Sequence, residues 1–205
     1  MSQLLFATRI HRASLAGDKG FSALNADLEE ACRMLEAEDE AGRAWSRRNS
    51  YRGFTSYSSA GEQWTRATAF GDLKRKLDRH AATFAAELGM DLDGGRLRLD
   101  SFWVNVLKPG GGHSGHIHPH SVLSGTYYVA LPPGAQGIRF EDPRLAMMMA
   151  APMRTAQAPA DQQPFVSLAP EAGDLLLWES WLRHEVPPSN AKADRISISF
   201  NYGWR

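Results

Sequence analysis

Arg195-Ile196-Ser197-Ile198-Ser199-Phe200-Asn201-Tyr202 alternates without a break between polar and apolar residues. A period of two is the pattern of a β-strand, whose successive side chains point to opposite faces. Ile196, Ile198, Phe200 and Tyr202 form one row, and Arg195, Ser197, Ser199 and Asn201 the other. Solvent is the ordinary destination of such a polar row; the interior of a barrel is the other. Working back from this strand, short β-rich runs separated by Pro and Gly occur near 96–107, 114–119, 122–131, 137–141, 164–169, 174–179 and 183–187. With 195–202 that makes eight short strands, the count of a sandwich or barrel.

Before residue 95 the pattern is helical. Leu24, Leu28, Ala31 and Leu35 recur at helix spacing and predict a helix over 22–41, with Ser22 as N-cap. Phe70, Leu73, Leu77, Ala81, Phe84 and Leu88 predict a second helix over 66–88, closed by Gly89. Residues 3–10 read as a short strand, and residues 43–57, rich in Arg, Trp and Tyr, as a loop over a site or plain surface. The expected plan is one domain over residues 1–205, with a helical part about 20–90 laid on a β core about 96–203. The longest unpatterned stretch, 142–163, holds Met147, Met148, Met149 and Met153 and suits a lid or dimer contact or, equally, a simply mobile segment.

Charge excludes some functions. Lys plus Arg and Asp plus Glu are both 23, so the formal net charge is zero. The signs balance in each half of the chain too, leaving no basic field for nucleic acid or an anionic membrane. No run approaches the length of a membrane helix. Nothing argues for export, and the lone Cys32 rules out an intrachain disulfide, so a cytoplasmic setting is the default.

Four of the seven histidines, His113, His116, His118 and His120, fall within residues 113–120. If 114–119 is extended, His116 and His118 share a face and can hold one metal ion. His113 and His120 are left as supporting or substrate-facing groups, and His11 and His80 as background. His184, the other histidine of the β region, begins a strand that can lie beside 116–118 in a rolled sandwich. If the polar row of 195–202 faces inward, Arg195 brings a fixed positive charge and calls for an anionic partner, with the Ser197 hydroxyl beside it.

The larger string is more specific. It runs Trp103-x-Asn105, His113-x-x-His116-x-His118-Pro119, Ser124-Gly125-Thr126-Tyr127-Tyr128 and Phe140-Glu141-Asp142-Pro143-Arg144. It continues with Gly173-Asp174, Trp178-x-Ser180-x-x-x-His184 and Arg195-Ile196-Ser197-Ile198-Ser199-Phe200-Asn201. This resembles the Fe(II)/2-oxoglutarate-dependent oxygenases, more narrowly a group of small, mostly bacterial and phage 2OG-Fe(II) oxygenases. The resemblance implies a mainly β fold, a double-stranded β-helix (a cupin-like jelly roll) with two or more helices on one face. It implies His116, His118 and His184 as iron ligands, and Arg195, Ser197 and Asn105 as 2-oxoglutarate-binding residues. Fe(II), 2-oxoglutarate and O₂ would do the chemistry, with no further catalytic side chain. The substrate would be a small molecule or a peptide side chain, and the oligomer a possible homodimer.

One departure stands out. The usual triad is two histidines and a carboxylate, and here His118 takes the carboxylate's place. Glu141, Asp142 or Glu179 could supply the missing charge from nearby. A zinc hydrolase or hydratase with three histidines is an alternative that needs no Arg195. A cupin-like binding module without turnover is another.

Overall fold

A computed structural model describes residues 2–205. Three helices and ten strands are present: β1 (His11–Ser14), α1 (Phe21–Glu38), α2 (Glu40–Arg48), β2 (Gly53–Thr55), α3 (Thr68–Glu87), β3 (Leu97–Leu107), β4 (His113–His116), β5 (Leu123–Ala130), β6 (Ile138–Glu141), β7 (Phe165–Leu168), β8 (Asp174–Glu179), β9 (His184–Val186) and β10 (Arg195–Trp204). The strands form a six-stranded sheet, β1-β8-β5-β10-β3-β2, and a four-stranded sheet, β4-β9-β6-β7. Every pairing is antiparallel. From β3 to β10 the chain passes between the sheets at each step except the β6–β7 hairpin. That is the expected double-stranded β-helix, with helices on one face.

The strand β10 explains how the layers sit. Its apolar row, Ile196, Ile198, Phe200 and Tyr202, is fully buried beneath the helices. Leu28, Cys32 and Leu35 of α1 and Phe70, Leu73, Leu77, Ala81 and Phe84 of α3 complete that core. Its opposite row, Arg195, Ser197 and Ser199, faces the space between the sheets. Solvent is therefore not the destination of the polar row, because helices cover one side of the sheet and the smaller sheet the other. A separate apolar cluster of Tyr128, Ile138, Phe140, Leu176, Trp178 and Leu182 fills the rest of the inter-sheet space.

Several local expectations change. Residues 3–10 form no strand; the strand is His11–Ser14, added at the edge of β8. The helix expected over 22–41 breaks at Asp39. The buried Asp39 carboxylate accepts the Gly42 N–H at 2.9 Å, capping α2, and also accepts from Ser59 Oγ. Gly42 is needed there, because a Cβ would overlap Asp39 and the Thr55 carbonyl. Residues 43–57 are thus not one loop but the rest of α2, a turn over 49–52 and the strand β2. Ser22 lies inside α1, whose N-cap is Gly20 in the left-handed conformation. The strand expected over 114–119 stops at His116, and Ile117 turns out to solvent. In 142–163 the chain makes two short 3₁₀ turns, Leu145–Met147 and Ala160–Gln162, with Met147, Met149 and Met153 exposed.

Candidate metal centre

β4 and β9 pair so that His116 stands directly opposite His184. His118 lies beyond the end of β4, on a segment pinned by its own N–H donating to the Ser180 carbonyl at 3.0 Å. That tether returns the third imidazole to the other two. One ring nitrogen from each of His116, His118 and His184 lies within 4.8 Å of the others. The rings crowd together, with centroids 4.5 Å apart for His116–His184 and 5.1 Å for His118–His184.

Backbone carbonyls set two of the tautomers. His116 Nδ1 lies 2.7 Å from the Ser114 carbonyl, and His184 Nδ1 lies 2.9 Å from the Leu182 carbonyl. A carbonyl only accepts, so each Nδ1 is the protonated donor and each Nε2 keeps its lone pair. His118 Nε2 and His184 Nε2 are 3.3 Å apart. Two nitrogens bound to one ion at about 2.0–2.1 Å stand at about that separation. Burial pushes the pKa of His118 down to about 4 and that of His184 down to about 3, with neighbouring imidazoles adding to the effect. Both are neutral at pH 7, as metal ligands must be.

The same cavity holds a buried cation. Arg195, 4% exposed, donates from Nη1 to Ser197 Oγ at 2.9 Å and sits over the Tyr128 ring at 5.2 Å. No carboxylate pairs with it among the described residues, and its Nε–H has no hydrogen-bond partner. Tyr128 Oη, also buried, has none either. Burial raises the Tyr128 pKa to about 12, partly offset by Arg195, so the hydroxyl stays protonated and can donate. A guanidinium with an idle donor, a free hydroxyl and the Ser197 hydroxyl form a cradle for a carboxylate. Three lone-pair imidazoles and that cradle fit Fe(II) together with a dicarboxylate.

Asn105 lines the cavity as well, yet its amide is engaged: Oδ1 accepts from Thr55 Oγ1 at 2.8 Å and Nδ2 donates to Ser199 Oγ at 3.1 Å. Its visible part is to hold β2 and β10 to β3. His113 lines the cavity with Nε2 at 2.9 Å from Tyr51 Oη. His120 is exposed in a turn with φ +71°, away from the site. None of the carboxylates considered as compensation lines the cavity. Glu141 pairs with Arg183 at 3.1 Å and Asp142 with Arg144 at 2.8 Å, while Glu179 faces a separate cleft of about 570 Å³. Residues 142–163 border that cleft and not the histidine cavity.

Three contributors, Tyr128, Trp178 and Trp103, stand in the motif string without a role assigned to them, and a fourth, Tyr51, stands outside it. Tyr128 stands next to Tyr127, and strand alternation separates them: Tyr127 goes to the helix side, Tyr128 to the cavity. Trp178 is buried with its ring centroid 4.7 Å from His184 and its Nε1–H unpartnered. Tyr51 carried no signal beyond the aromatic content of its segment. Trp103, beside His118 at 5.6 Å, connects through Tyr57 to the surface.

Comparison with known proteins agrees with this geometry. Residues 101–201 match the family described as "Putative 2OG-Fe(II) oxygenase". Among curated proteins none matches. A prolyl-4-hydroxylase from Pseudomonas putida has a similar structure, with TM-score 0.63 and 17% identity over 97% of this chain and 94% of that one. So does a Trichoplax adhaerens prolyl hydroxylase in complex with a peptide fragment of hypoxia inducible factor, with TM-score 0.62 and 16% identity over 95% and 83% of the chains. The epimerase SnoN from nogalamycin biosynthesis, in complex with Fe3+ and alpha ketoglutarate, gives TM-score 0.64 and 15% identity over 96% and 79%. At these identities the likeness is one of fold.

Proposed function

Residues 101–201 belong to the 2OG-Fe(II) oxygenase family, and from that premise we propose that His116, His118 and His184 hold the Fe(II) while Arg195 holds the distal carboxylate of 2-oxoglutarate. Ser197 and Tyr128 assist Arg195, and Asn105 fixes the strands around it. Bound together, Fe(II), 2-oxoglutarate and O₂ supply an oxidant able to hydroxylate an unactivated C–H bond. The protein's own residues orient and shelter that chemistry. Ser114 and Leu182 carbonyls aim two imidazoles, and Ser180 holds the backbone of the third. Phe140, Trp178 and Leu182 wall the centre off on the β6 side.

The observation that carries this reading is the convergence of three clustered imidazoles and one buried, unpaired guanidinium on a single cavity. A zinc hydrolase with three histidines has no need of that guanidinium. The substrate on this reading is a small molecule or a peptide side chain, reaching the iron past Trp103, Tyr57 and Tyr51. The zero net charge argues against nucleic acid, and the unpaired, buried Cys32 fits a cytoplasmic setting.

Uncoupled turnover tests it. With Fe(II), O₂ and ascorbate, the two-electron reductant that takes the second oxygen atom to water, the protein is expected to convert 2-oxoglutarate slowly to succinate and CO₂. Arg195→Ala should need far more 2-oxoglutarate for half-saturation while still binding Fe(II). Equal 2-oxoglutarate dependence in both proteins, or equal loss of metal and cosubstrate, would overturn the Arg195 assignment.

A further inference from the structure

The charge of the filled site does not close. In the usual centre, Fe(II) contributes +2, one carboxylate ligand −1, 2-oxoglutarate −2 and the arginine +1, a sum of zero. Here His118 replaces the carboxylate, and imidazole ligands are neutral. No Asp or Glu lines the cavity. Glu141, the last residue of β6, and Asp142 beside it are tied to Arg183 and Arg144. The filled site therefore carries one net positive charge in a partly buried cavity, lined by half-buried His116 and His118 and buried His184, where an uncompensated charge costs more than it does in open water.

A second observation points the same way. Trp178 is 1% exposed, packs edge-on against His184 with centroids 4.7 Å apart, and its Nε1–H has no partner. An indole nitrogen only donates. The other two idle groups of the cavity, Arg195 Nε–H and Tyr128 Oη, belong to the carboxylate cradle. The Trp178 donor remains over, on the histidine side of the cavity. Every group left unsatisfied there asks for an acceptor.

Resting on the ligand set above, we propose that the site takes a second anion beside 2-oxoglutarate, a carboxylate or similar monoanionic group carried by the primary substrate. The residual charge of the three-histidine centre attracts it, and Trp178 Nε1–H donates to it. The primary substrate is on this account an acid and not a neutral or cationic compound.

The test uses anaerobic protein loaded with Co(II) and saturating 2-oxoglutarate, with benzoate and its neutral isostere benzamide as probes and the Co(II) visible spectrum as readout. Benzoate should perturb the spectrum and bind at least about tenfold more tightly than benzamide, the scale of one unit charge a few ångströms away in a partly screened site. His118→Asp, which returns a charged ligand, should remove that preference. Trp178→Phe keeps an aromatic ring beside His184, though a smaller one, loses the donor and should weaken benzoate about tenfold with Co(II) affinity unchanged. Formate separates the sources: binding of benzoate alone assigns the anion to an organic substrate, whereas equal binding of formate assigns it to a free ion and overturns the substrate form. Equal binding of benzoate and benzamide, or no response to either with Co(II) and 2-oxoglutarate bound, overturns the inference outright. Failure to bind Co(II) overturns the ligand set and this inference with it.

Discussion

Replacing Arg195 by Met should leave the ligand-free protein as stable as before or more stable, while destroying its response to 2-oxoglutarate. Arg195 is 4% exposed and has no carboxylate partner among the described residues. Burying such a charge costs several kcal/mol, about 3 or more after relaxation. Against this stand the contact with the Tyr128 ring at 5.2 Å, worth about 2 kcal/mol when desolvated, and the Ser197 hydrogen bond at 2.9 Å, worth about 1.5 kcal/mol or more. The terms cancel to within about 0.5 kcal/mol, and the Met side chain adds apolar burial without a charge to desolvate, so Arg195→Met should change unfolding free energy by between about 0 and +2 kcal/mol. Ligand linkage separates the two proteins. At a hundred times its dissociation constant, 2-oxoglutarate should stabilise the Fe(II)-loaded wild type by about 2.7 kcal/mol and the variant by nothing measurable. Urea unfolding with and without 2-oxoglutarate measures both. Loss of 3 kcal/mol or more in the ligand-free variant, or retained stabilisation by 2-oxoglutarate, would refute the reasoning.

Other outcomes follow from the same geometry. His116→Ala and His184→Ala should lose stoichiometric Fe(II), whereas His80→Ala, whose Nδ1 meets His11 Nε2 at 3.1 Å on the far side of the main sheet, should keep it; metal analysis decides. Asp39→Ala should cost about 1–3 kcal/mol, since it strips the cap from α2 and leaves the Gly42 N–H unpaired, and unchanged thermal stability would contradict the capping role. Burial holds His113 and His184 at about 3 and His118 at about 4, below the unfolded value of about 6.5. The unfolded chain therefore takes up protons first, and the metal-free protein should lose stability as the pH falls from about 6.5 toward 3. Equal stability at pH 7.5 and pH 5 would contradict that burial.

Much of the fold was legible because period-two and helical stripes report burial directly. The alternation over 195–202 marked a strand but not its inward side. That depended on the helices, which claim Ile196, Ile198, Phe200 and Tyr202 and leave Arg195 and Ser197 facing the second sheet. The break at Asp39 was hidden in a run of acidic residues that reads equally well as a solvated helix face. The rings of His116 and His118 lie together, but not on the shared strand face that their spacing suggests. The strand ends at His116, and His118 is returned by its tether to Ser180, a contact across 62 residues of chain that local pattern cannot carry. Glu141 and Asp142 looked available as compensating charges, yet their arginine partners fix them elsewhere.

Anaerobic addition of 2-oxoglutarate to the Fe(II)-loaded protein tests the central claim most directly. A weak visible charge-transfer band, the mark of a keto acid chelated to Fe(II), should develop in the wild type and be absent in His116→Ala and His184→Ala. No band in a protein that binds Fe(II) and 2-oxoglutarate, or an undiminished band in either variant, would contradict the assignment of His116, His118 and His184 to the iron.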